Sequence, residues 1–86
     1  MLFEIPFDAR DLEAPLPMQE VLRMLPDLDE KSYIKMIHRQ EPSLLFGMLK
    51  KRACKVESKQ IESELWYIYI YKEHALKAQE AIQKLL

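Results

Sequence analysis

The stretch Leu65–Tyr71, Leu-Trp-Tyr-Ile-Tyr-Ile-Tyr, is the strongest strand in the sequence. Side chains alternate across a pleated strand, so Trp66, Ile68 and Ile70 point one way and Tyr67, Tyr69 and Tyr71 the other. One sheet face is therefore strongly apolar. The other is half apolar and rich in tyrosine, and it needs a cover of its own.

The remaining elements follow from period and punctuation. Leu2-Phe3-Glu4-Ile5 is a short apolar strand. Met18, Val21, Leu22 and Leu25 recur at helical spacing, with Pro17 suited to the first helical position and Pro26 closing the helix. Ser32–His38 alternates, placing Ile34 and Met36 on one face and Tyr33, Lys35 and Ile37 on the other. Pro42 opens a second helix that runs to about Lys51, with Leu45, Met48, Leu49 and Arg52 on one side and Leu44 beside them. Gly47 inside it costs about 1 kcal/mol relative to alanine, which suggests a close packing contact. Cys54–Lys59 is a lightly apolar strand near a sheet edge. Gln60–Glu64 connects it to the next strand without the Asn-Gly signal of a tight turn. Glu73–Leu86 is a closing helix with Ala75, Ala78, Ile82 and Leu85 on one stripe.

These elements predict an α/β chain of the α+β two-layer sandwich type. It has a βαβαββ four-stranded mixed sheet, two helices on one face and an added C-terminal helix. Residues 1–72 form the domain proper. The helix over 73–86 packs either on that domain or on a partner subunit.

Composition narrows the function. The 86 residues are enough for one domain, and 49% of them are hydrophobic, so a single core needs no staples. Cys54 is the one cysteine, which excludes an internal disulfide and fits a reducing compartment. A net charge of −1 provides no bulk attraction to nucleic acid or acidic membranes. No apolar run approaches the roughly 20 residues of a membrane span, and no secretion signal is evident, so a cytoplasmic location is expected. The single glycine excludes a phosphate-cradling glycine loop. His38, His74, Cys54 and the carboxylates show no metal-ligand spacing, and no nucleophile is paired with a base. No metal, cofactor or catalytic residue is expected.

Between the first strand and first helix lies Asp8-Ala9-Arg10-Asp11-Leu12-Glu13-Ala14-Pro15-Leu16-Pro17. Pro15 steers Ala14 to an extended conformation close to a helix N-terminus, where backbone amides and the macrodipole favour negative charge. A thiol there would be stabilised as its thiolate. The residue is alanine. The stretch resembles the Asp-Ala-Arg-Gly-Leu-x-Cys-Pro-x-Pro motif of the small sulfur-carrier proteins of the TusA/SirA type. Asp11 stands in the place of the glycine and Ala14 in the place of the cysteine that carries persulfide sulfur. The resemblance implies a bacterial, cytoplasmic branch of that superfamily that keeps the proline corner without the thiol.

Two corners are candidate binding sites. The first is Arg10, Glu13, Ala14, Pro15 and Pro17, read either as a docking corner or as residues that only shape a turn. The second is His38, Arg39, Glu41 and Pro42, where a parallel strand runs into a helix, a common place for ligands in open α/β sheets. His38 could titrate near neutrality and Arg39 could clamp a carboxylate or phosphate. On the blander reading Glu41 complements the helix N-terminus and pairs with Arg39. Cys54 reads as a buried, inert thiol rather than a sulfur acceptor. The tyrosine stripe reads as a packing face rather than an RNA-stacking platform.

The leading expectation is a non-catalytic module that binds a protein partner through the two corners. The alternative is a small anion bound at the two helix N-termini on the Arg10 and Arg39 side. Self-association through the C-terminal helix or the open sheet face is compatible with both.

Overall fold

The alternation along the aromatic stretch is satisfied on both sides. The computed structural model describes residues 2–86. In chain order it contains β1 (Phe3–Asp8), α1 (Leu16–Met24), a 3-10 turn (Leu25–Asp27), β2 (Ser32–His38), α2 (Ser43–Lys51), β3 (Cys54–Glu62), β4 (Leu65–Lys72) and α3 (Leu76–Leu85). The strands form one sheet in the order β1-β2-β4-β3. β1 pairs parallel with β2, and the other two pairings are antiparallel. This is the mixed-sheet α+β fold that the pattern of elements predicts.

β4 is paired along both edges and covered on both faces. On one face Ile68 and Ile70 join Ile34 and Met36 of β2 under Val21 of α1 and Leu45 and Leu49 of α2. On the other, Tyr33, Tyr69 and Tyr71 meet Ala75, Ala78 and Ile82 at the start of and within α3. The alanines let the helix backbone approach the rings, and burying Ile82 contributes about 1.5–3 kcal/mol. The tyrosine face is thus packed rather than open.

Buried tyrosine hydroxyls need partners, and two find them in carboxylates. Tyr33 donates to Glu4 Oε1 at 2.9 Å, and Tyr71 donates to Glu57 Oε2 at 2.9 Å. Burial, reinforced by Glu4, pushes the Tyr33 phenol up to about 12. Lys35 Nζ sits 4.2 Å from the Tyr67 ring centroid, holding a cation over that ring.

Several boundaries differ from the sequence expectation. β1 continues to Asp8 through Pro6, which is tolerated because β1 is an edge strand. α1 begins at Leu16 with Pro15 at the N-cap, so Pro17 is the second helical residue, and the Ala14–Pro15 peptide is cis. α2 begins at Ser43 with Pro42 at its N-cap. β3 runs on to Glu62, past an irregularity between Gln60 and Glu62, so only Ser63 and Glu64 turn the chain. Antiparallel pairing with β4 overrides the weak apolar pattern of this segment.

α3 starts later than expected, and Leu85 is 44% exposed rather than part of the buried stripe. Gly47 is exposed, and nothing lies within 4 Å of the Cβ it lacks, so it permits no close contact. Leu44 is 86% exposed.

Candidate functional site

Because β1 and β2 are parallel, both end at the same edge of the molecule, and each feeds a loop into a helix. The Ala9 amide donates to the Ile37 carbonyl at 2.8 Å, so the two chains leave the sheet side by side. Ala9 itself is fully buried beneath the first loop. The proline corners that open α1 and α2 therefore face each other across an open groove of about 480 Å3.

Leu12, Glu13, Ala14, Pro15, Pro17 and Met18 line one side of the groove. The segment from His38 to Leu45 lines the other. Both helices lack a side-chain cap, since a proline occupies each N-cap position. Leu16 donates to Glu13 O at 2.9 Å and Leu45 to Pro42 O at 3.0 Å. The amides of Met18 and Leu44 find no backbone acceptor among the described residues. Each first turn thus leaves a donor at the groove, as helix N-termini do.

The walls are mainly apolar, with Glu13, Arg39 and Glu41 as the charged residues among them. Arg39 Nη2 lies 3.9 Å from Glu13 Oε1, linking the two loops across the groove. Glu41 does not pair with Arg39; it accepts a hydrogen bond from Ser58 Oγ at 2.6 Å. A smaller polar hollow of about 330 Å3 adjoins the groove, shares His38, Arg39 and Gln40, and adds Glu64 from the β3–β4 turn.

His38 is 7% exposed, and its Nδ1 is buried with no hydrogen-bond partner. Burial lowers its pKa, the Ala9 backbone opposes that shift, and the Arg39 charge adds to it. The imidazole is therefore held neutral more firmly than a free histidine.

Of the residues that the sequence singles out, Glu13, Ala14, Pro15, Pro17, His38, Arg39, Glu41 and Pro42 all line this groove. Arg10 does not. It turns back to Asp8, with Nη2 2.7 Å from Oδ2 and Nε 2.9 Å from Oδ1. These side-chain bonds hold the Asp8 carboxyl down at about 2.

Sequence reasoning missed Leu12, Met18, Gln40, Ser43, Leu44 and Leu45 as groove residues. The one available signal was Leu44, an apolar residue just off the Leu45–Leu49 stripe. Glu64 was hidden because its turn resembled a longer loop.

Cys54 lies at the opposite end of α2 from the groove. It is buried, its Sγ–H donates to the Arg52 carbonyl at 3.6 Å, and burial pushes the thiol pKa up. Among the described residues no group of three His, Cys, Asp or Glu side chains could hold a metal. No described helix is long and apolar enough to cross a membrane.

The architecture defines the chain as a four-stranded mixed α+β domain with a groove between two helix N-termini. No protein-family model, no curated protein and no solved structure matches it.

Proposed function

We propose that this chain is a non-catalytic docking module, a relative of the TusA/SirA-type carriers without the carrier thiol, that holds a segment of a protein partner in the groove. The observation that carries the reading is the apolar rim. Leu44 is 86% exposed beside a groove lined by Leu12, Pro15, Met18 and Leu45. A leucine at the first turn of a helix contributes little to the core when it is this exposed, and together with the apolar groove lining it extends a contiguous exposed apolar patch of the kind that marks interaction sites.

The family relationship rests on the Asp8–Pro17 motif and its place between the first strand and the first helix. Ala14 occupies the position of the family's cysteine and lines the groove. A carrier reaction needs a sulfur nucleophile there, whereas docking needs only the corner.

The reading is tested by a photo-crosslinking residue at Leu44, compared with the same residue at Lys77 on α3. A discrete protein adduct formed from Leu44 alone is the expected result. Equal or absent adducts at both positions would remove the docking reading.

A further inference from the structure

From the charges around the groove, and resting on the docking reading above, we infer that the occupant is an extended peptide segment bearing a lysine or arginine beside an apolar anchor. Glu13 and Glu41 line the groove, Glu41 accepting from Ser58, and Glu64 lines the adjoining polar hollow, against the single guanidinium of Arg39 that the two share. That guanidinium already lies 3.9 Å from Glu13. The two helix N-termini add about half a positive charge each, which does not cancel the excess of carboxylates. An anionic occupant would be repelled by this lining, and a cationic side chain would be drawn to it.

The apolar lining fits the same occupant. Leu44 is exposed, and Met18 and Leu45 line the groove with it, so apolar and acidic residues share one lining. The unbonded Met18 and Leu44 amides provide donors for carbonyls of an extended chain. His38 contributes a neutral wall rather than a competing positive charge. The arrangement therefore reads an apolar residue and a basic residue close together, with backbone contacts between them.

The test is a selection of random dodecamer peptides displayed on phage against the immobilised full chain. Binding of a selected synthetic peptide is then measured by fluorescence anisotropy at low and high salt. Enrichment of Lys or Arg within two positions of Leu, Met or Phe is expected. The double variant Glu13→Gln/Glu64→Gln, checked for an unchanged melting curve, is expected to weaken binding roughly three- to tenfold, the scale of two exposed ion pairs. It should also flatten the salt dependence.

Enrichment of Asp or Glu, or binding insensitive to both salt and the double variant, would overturn the charge inference and leave docking in place. Selected peptides that bind Leu44→Glu as well as the native chain would overturn docking at this groove altogether. Light scattering that shows self-association in low salt, competing with the peptide, would identify the occupant as a second copy and overturn the inference.

Discussion

The Arg39 guanidinium reaches the Glu13 carboxylate at 3.9 Å across the mouth of the groove, joining loops that are 26 positions apart in sequence only through space. Arg39 is 51% exposed and Glu13 87% exposed, so water screens the pair. Arg39→Ala and Glu13→Gln should each change stability by less than about 0.5 kcal/mol in urea unfolding. A loss well above that would mean that the pair holds the fold together rather than shaping a binding surface.

Gly47 sits in the middle of α2, exposed and with open space where a Cβ would stand. Gly47→Ala should stabilise the protein by about 0.5–1 kcal/mol, because alanine restricts the unfolded chain and favours the helix. A rise in the urea midpoint with an unchanged slope is the expected readout. A fall would show that α2 does not accommodate a Cβ at this position despite the open space around it.

Thiol labelling separates the two positions relevant to sulfur chemistry. Cys54 is buried and its thiol pKa is raised, so it should react slowly with a thiol reagent until the protein unfolds. In Ala14→Cys, the introduced group lies on the exposed groove wall and should label at least about tenfold faster than Cys54. Rapid labelling of Cys54 in the native chain would reopen it as a sulfur acceptor.

Stability should fall as the pH drops from 7 to 5. Burial depresses the folded-state pKa of His38 below the ordinary value of 6.5, so the unfolded chain binds the proton more readily. The contribution of His38 is fully present above pH 6.5 and is lost as the pH falls through the folded-state value. The shifted carboxylates, with ordinary values of 3.8, titrate below this window. His38→Gln should flatten the slope between pH 7 and 5 in thermal melts; an unchanged slope would assign it to other groups.

Ile82 anchors α3 to the tyrosine face with no exposure to solvent. Ile82→Ala should cost about 2–4 kcal/mol and increase the proteolytic sensitivity of the C-terminal segment. A loss below about 1 kcal/mol would indicate that α3 adds little to the fold.

The strand Leu65–Tyr71 was legible because its alternation is strong on both faces, and Ser32–His38 because Tyr33, Ile34 and Ile37 favour extended backbone and Ile34 and Met36 share one face. The extension of β3 to Glu62 was not legible. Gln60, Ile61 and Glu62 carry no strand pattern, and they are extended because β4 offers unpaired backbone groups beside them. Leu44 was placed beside the buried stripe because apolar residues usually turn inward, yet the sheet beneath α2 is already filled by Leu45 and Leu49.

By itself, the sequence determined which residues form the two proline corners, since proline restricts its own φ and the residue before it whatever surrounds them. It also determined the sheet faces, because side-chain alternation is a local property of extended backbone. Only the tertiary structure decided that the two corners share one groove and that Arg39 meets Glu13 rather than Glu41. Those outcomes depend on distances set by the parallel pairing of β1 with β2, which brings together chain segments that local pattern treats as unrelated.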